Sequence, residues 1–169
     1  MEKLWEIKRT LSIELRNPLQ TADENGRKHL TAYWQADGHK KAIAIGIHPS
    51  RTNQCKSDNT ISRLGRFLEA YGFCEYFMLN LFEHYVSYPY NTTQIRKTNF
   101  QSYMTQFEAA DAILIAWGME HKYLEEKKEA LEILKKHKDK IYCIECTSGA
   151  KPKHPSRLYY NEKLVRYHF

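Results

Sequence analysis

The chain's apolar positions fall into short runs, each broken off by a polar or glycine-containing motif. The first, Ala42-Ile43-Ala44-Ile45-Gly46-Ile47, has the unbroken pattern of a strand buried on both faces. It stops at His48-Pro49-Ser50, where proline removes an amide and fixes φ. After a polar stretch, Asp58 or Thr60 can cap a helix over about 58–71 with apolar positions Ile61, Leu64, Phe67 and Leu68. That helix ends at Tyr71-Gly72, where glycine supplies a left-handed cap. Cys74 to Leu81 then reads as a second strand with Asn80 near its carboxyl end, and Asp111 to Gly118 as a third, ending in Trp117-Gly118. Ile141-Tyr142-Cys143-Ile144 is the fourth.

Between these runs, residues 83–99 form a long aromatic connection, a length of irregular chain that is usually functional or mobile. Phe100 to Ala110 reads as helical, and 119–138 as an amphipathic helix on Leu124, Leu131 and Leu134 with Ile133 on its flank. Upstream, residues 4–16 and 28–36 alternate loosely about Asp23-Glu24-Asn25-Gly26, and Asn25-Gly26 is a good hairpin turn. An antiparallel N-terminal ribbon follows. Residues 147–158 are read as a loop, followed by a short basic tail.

Strands alternating with helices predict an α/β fold with a mostly parallel sheet and helices on both faces. The length suits one domain over 1–169, with the ribbon in 1–40 and the α/β core in 41–160. Crossover handedness then puts the carboxyl ends of the strands on one rim, where open α/β sheets place their ligands. That rim collects His48-Pro49-Ser50, Asn80, Trp117-Gly118 and, through the last loop, His154-Pro155-Ser156.

A formal charge of +6 favours polyanionic partners only moderately, because much of the Lys lies between 122 and 140, interleaved with Glu as on a solvated helix face. The 12 Tyr supply apolar area with polar tips, suited to interfaces and stacking. No apolar run approaches the roughly 20 residues of a bilayer span. The N-terminus carries acids and no hydrophobic core, unlike a signal peptide. A cytoplasmic location without membrane contact is expected, with Cys55, Cys74, Cys143 and Cys146 reduced. Cys143-Ile144-Glu145-Cys146 ends a strand and has no second pair, so neither zinc nor a redox couple is implied. No cofactor or metal is expected.

Each candidate side chain has a plainer alternative. Asn80 could bond bidentately to a base edge, or cap the following turn. His154 could donate to an oxygen that gains charge in a reaction, or be held by its own loop. His48 faces the same choice. Asp58 and Thr60 are most simply a helix cap, although Asp58 near the rim could act as a base. Arg51, Arg63 and Arg157 are candidate phosphate contacts or surface charges. Trp117-Gly118 is structural, the Gly letting backbone approach a ligand. Tyr85 and Phe82 offer aromatic faces for stacking.

Taken together, His48-Pro49-Ser50, Asp58-Asn59-Thr60, Asn80-Leu81-Phe82, Ala116-Trp117-Gly118 and Pro152-Lys153-His154-Pro155 resemble a bacterial and phage family catalogued as a domain of unknown function, DUF1643, over roughly residues 28–160. The same order, more distantly, resembles the uracil-DNA glycosylase superfamily, through Gly46-Ile47-His48-Pro49, Met78-Leu79-Asn80, Ile115-Ala116-Trp117-Gly118 and His154-Pro155-Ser156-Arg157-Leu158. The second resemblance implies a three-layer α/β/α sandwich around a four-stranded, mostly parallel sheet. It also implies a base-reading Asn80 and a leaving-group donor His154. It departs at His48, where those glycosylases carry Asp or Asn. The expected function is therefore binding of a nucleobase or nucleotide, with hydrolysis or exchange of an N-glycosidic bond, in DNA or a nucleotide. His48 or Asp58 would position the nucleophile, and Pro49, Ser50, Phe82, Trp117 and Gly118 would surround the ligand. The alternatives are a non-catalytic nucleotide- or DNA-binding module, and an interaction module using the Tyr-rich 83–91 loop. The oligomeric state is left open.

Overall fold

The apolar runs become the middle of one mixed sheet. The computed structural model describes residues 12–16, 21–50, 59–85, 95–158 and 161–169. Among these, seven strands are hydrogen-bonded side by side: β1 (Glu14–Arg16), β2 (Leu30–Tyr33), β3 (Lys40–Gly46), β4 (Phe73–Asn80), β5 (Ala112–Ile115), β6 (Ile141–Glu145) and β7 (Lys163–Arg166). Their order is β1-β2-β4-β3-β5-β6-β7. Neighbours among β4, β3, β5 and β6 pair in parallel, whereas β1, β2 and β7 join antiparallel.

The strands are buried on both faces because helices cover both. Ile43, Ile45, Ile113, Ile115, Ile141 and Cys143 share one apolar cluster with Phe107, Ala130 and Leu134. Phe107 belongs to helix α2 (Met104–Ala109), entered through a 3-10 turn at Phe100–Tyr103. Ala130 and Leu134 belong to helix α3 (Leu124–Leu134), which continues into a 3-10 segment over Lys135–Lys140. On the opposite face Ala42, Ala44, Ala112, Leu114 and Ile144 meet Ile61, Leu64, Phe67 and Leu68 of helix α1 (Asn59–Glu69). Each large apolar side chain taken fully out of water here contributes about 1.5–3 kcal/mol before the entropy of ordering it. Between the end of α1 and β4, Gly72 has φ +86°, the left-handed geometry read from Tyr71-Gly72.

Several sequence expectations need correcting. The sheet has seven strands among the described residues, not four, because the N-terminal ribbon is a continuation of it: β2 pairs with β4, Leu30 opposite Met78. The basic tail supplies the other edge, and Leu164 and Val165 of β7 pack against opposite faces, a two-residue alternation hidden between charges. The long amphipathic helix begins at Leu124, later than read, and Leu124 is 58% exposed. Its buried face is Lys127, Ala130 and Leu134, with the Lys127 ammonium donating to the Glu120 carbonyl oxygen at 2.6 Å.

The turn at 23–26 forms, but not by positive φ. The Asn25 and Gly26 amides both donate to Asp23 Oδ1, an Asx arrangement, and the Asp23 amide donates to the Gly26 carbonyl. Gly26 is needed for a close approach instead. A Cβ there would lie 1.9 Å from the Glu83 carbonyl oxygen. Residues 25–27 thus lie against 83–85, with Arg27 N–H donating to Glu83 O and Tyr85 N–H to Asn25 O, while 96–98 bonds to the other side of 81–83. Arg96 closes this ribbon with a two-pronged ion pair to Asp23. Residues 4–11, Cys55 and most of the Tyr-rich 83–91 loop lie outside the described residues. Cys74, Cys143 and Cys146 are free thiols, and burial pushes the Cys143 thiol up to about 11, so it is inert at neutral pH. Among the described residues no helix is long and apolar enough to cross a membrane.

The Arg96 guanidinium, through its hydrogen bonds, and the Asn25 amide hold the Asp23 carboxyl at about 2, below its ordinary 3.8. Its stabilisation is complete above pH 3.8 and is lost as the pH falls through 2. The wild type should therefore melt above Asp23→Asn at pH 5, and the difference in thermal midpoint should close as pH approaches 2.

Candidate functional site

In the parallel part of the sheet the chain runs from β3 to β4 on one side, then crosses over to β5 on the other. The reversal leaves a crevice beyond the carboxyl ends of these strands. A cavity of about 370 Å³ lies there, of the size that holds a small organic ligand. Its wall includes Gly46, Ile47, His48, Pro49 and Ser50 after β3, Met78 and Asn80 from β4, Ala116 after β5, and His154 and Pro155 from the last loop. Thr60 and Ile61 of α1 complete the floor. Stretches after β3, in β4, after β5 and in the last loop thus line one cavity, the third through Ala116 and not through Trp117-Gly118.

Asn80 sits directly opposite Gly46 in the β3–β4 register. The glycine makes the room: a Cβ at position 46 would lie 2.7 Å from Asn80 Oδ1 and 2.8 Å from Met78 Cε. Asn80 is 3% exposed, and its side-chain amide has no hydrogen-bond partner among the described residues.

His48 is half-buried. Its ring stacks on Phe82 at 4.9 Å between centroids and 15° between planes, and meets Tyr123 edge-on at 5.6 Å. Burial lowers its pKa, so the neutral ring is favoured at pH 7. A carbonyl can only accept, so Nδ1 carries the proton and donates to His84 O at 3.3 Å. Nε2 is then the basic nitrogen and accepts from the Tyr123 hydroxyl at 3.4 Å. These are long contacts, which a ligand or water could replace without large loss.

His154 has the other tautomer. It caps the 3-10 turn Pro155–Arg157, its Nδ1 accepting from the Ser156 amide at 3.1 Å and from the Ser156 hydroxyl at 2.9 Å. The neutral ring therefore carries its proton on Nε2. Gly118, at φ +80°, lets this loop come close, since a Cβ at 118 would lie 3.2 Å from the His154 Cβ. Arg63 donates to the Ser156 carbonyl and so ties α1 to the same loop.

Not every predicted residue reaches the cavity. Phe82 lies behind His48, and Trp117, 3% exposed, belongs to the apolar cluster on the α2–α3 face. Gly118 acts through its backbone, and Tyr85 is buried. Arg63 and Arg157 are exposed and outside the wall. Arg51 and Asp58 lie outside the described residues.

The wall also holds residues that sequence reading missed: Arg27, Glu120, Lys122 and Tyr123. Arg27, 3% exposed, donates to the Ser50 carbonyl at 2.8 Å, and the 25–27 ribbon carries it there. Tyr123 was assigned to a helix, but its φ of +58° turns the chain just before α3. The signal for Glu120, Lys122 and Tyr123 is the glycine at 118 that releases the chain from β5. Among the described residues no group of three or more His, Cys, Asp or Glu side chains is placed to hold a metal ion.

With this geometry in place, the comparisons add the family. The family described as "Protein of unknown function (DUF1643)" matches residues 27–156, which takes in the whole cavity wall. No curated protein and no solved structure matches the chain.

Gly46→Ala should push the Asn80 amide off its position and destabilise the fold by about 1–3 kcal/mol, read by urea denaturation. In long-range 1H–15N spectra the His48 ring should titrate below 6.5, and its neutral form should carry the proton on Nδ1.

Proposed function

From the cavity of this chain, which belongs to the DUF1643 family of proteins of unknown function, we infer a glycosylase-like protein. It binds a nucleobase or nucleotide and hydrolyses or exchanges the N-glycosidic bond. The observation that carries this reading is the Asn80 amide, 3% exposed and part of the cavity wall. Its acceptor and two donors match a base edge, as an apolar ligand would not.

The two histidines supply the chemistry on either side. As the glycosidic bond breaks, electrons flow into the base, and the Nε2–H of His154 stabilises the carbonyl oxygen that gains charge. The sugar becomes cationic. A charged His48 would repel it, but burial keeps this ring neutral, and its basic Nε2 takes the proton of an attacking water or hydroxyl. Asp58 and Arg51 complete the nucleophile and phosphate contacts in this reading, with Arg157 toward the outside. The parallel β4-β3-β5-β6 order with helices on both faces supports the three-layer α/β/α sandwich of the uracil-DNA glycosylase superfamily, with β1, β2 and β7 as additions.

One observation favours a second reading, a non-catalytic binding module. Both ring nitrogens of His48 have partners inside the protein, at the place where the glycosylases carry an acid.

Base release from nucleotides and from modified or mismatched duplexes separates the two. The native chain should release base. His154→Ala should lower the rate about 10²–10³-fold with binding retained, and Asn80→Ala should weaken binding about 10- to 100-fold. Binding that depends on Asn80 with no base released by the native chain would leave the binding module.

A further inference from the structure

Helix α3 buries Lys127, Ala130 and Leu134, three positions on one face. An apolar residue would fill the first of them without taking a charge out of water. Lys127 is 8% exposed, and burial lowers its pKa. What the lysine gains is a double hold on the segment before the helix. Its backbone amide donates to the Tyr123 carbonyl oxygen at 3.0 Å, and its ammonium reaches back to the Glu120 carbonyl oxygen at 2.6 Å. One residue therefore ties both ends of Glu120–Tyr123.

That segment is irregular. Met119 to Lys122 are exposed, and Tyr123 has φ +58° and ψ +41°, a left-handed conformation that its surroundings must hold. Yet Glu120, Lys122 and Tyr123 all line the cavity. The Tyr123 hydroxyl donates to His48 Nε2 at 3.4 Å, with the two rings edge-on at 5.6 Å.

We propose that Lys127, outside the cavity wall, is a positioning residue that fixes the wall segment Glu120–Tyr123 and, through the Tyr123 hydroxyl, the His48 ring. A buried charge adds little to stability relative to an apolar residue of similar volume, so a lysine at this position serves the site more than the core. Its weight in the reaction rests on the reading of His48 as the base. Its hold on the segment does not.

Two variants of the full chain test this. Lys127→Met keeps the volume and removes the ammonium, and Lys127→Gln is shorter and uncharged. Without ligand, both should keep their thermal midpoint within about 5 °C of the native chain. The 1H–15N order parameters of residues 120–123 should fall by about 0.2, and the Nε2 resonance of neutral His48 should move to where Tyr123→Phe puts it. Base release should fall about 10- to 100-fold. Unchanged order parameters over 120–123, or a His48 Nε2 resonance left at its native position, would overturn the proposal. So would a midpoint lowered by more than about 5 °C in both variants, which would make Lys127 a residue of the core. If only one variant keeps its midpoint, that one carries the readings. Base release at the native rate by a loosened variant would overturn the part of Lys127 in the reaction. A native chain that releases no base would count against the catalytic reading, and the order parameters and the His48 ring would still decide whether Lys127 holds the segment.

Discussion

The pairing of Gly46 with Asn80 across β3 and β4 is the constraint on which the site depends. Parallel strands fix residue opposite residue, and a one-residue slip would turn every side chain to the other face. In this register the position facing Asn80 has no Cβ, so the amide fits beneath the cavity and is not pressed against a neighbour. The sheet around it is apolar on both faces, with Ile43 and Ile45 on one side and Ala42 and Ala44 on the other. A polar amide therefore ends a rigid strand at the cavity wall, where a ligand can reach it.

The rest of the wall is arranged by backbone approach more than by side-chain packing. The ribbon 25–27 reaches Glu83 because residue 26 is glycine, and this brings Arg27 to the cavity. Gly118 turns the chain out of β5 in a left-handed conformation and leaves space for the His154 loop. Gly46 makes room for the amide. Three glycines from distant parts of the sequence thus determine how closely three wall segments can come. A methyl group at any of them would be felt by a different functional side chain.

The core strands were legible because uninterrupted apolar runs of four to six residues, bounded by turn and polar signals, have few structural alternatives, and their carboxyl ends were legible because His48, Asn80 and Trp117-Gly118 interrupt them abruptly. What escaped has physical reasons. β7 is an edge strand of four residues with charges at both ends, so its two apolar residues gave too short an alternation to stand out. Leu124 fits a helical apolar spacing yet lies exposed in the first turn of α3, while the stem of Lys127 is buried and its ammonium is anchored on a carbonyl. Arg27, Glu120 and Lys122 look like surface charges in any window of sequence. Only the fold brings them to one wall, and no spacing rule links position 27 with position 122.

His48 and His154 show how one residue type can take two roles through the tautomer that its neighbours select. In both, a backbone group decides the tautomer. At His48 a carbonyl oxygen takes the Nδ1 proton, making the far nitrogen a base; at His154 a backbone amide occupies the Nδ1 lone pair, making the far nitrogen a donor. The two local contacts are set by the segment around His84 and by the 3-10 turn at Pro155. An acid–base pair built this way needs no shared proton between its members, and the distance between them is left to the cavity and to the molecule that fills it. That places the burden of specificity on Asn80, the largely buried amide in the cavity wall.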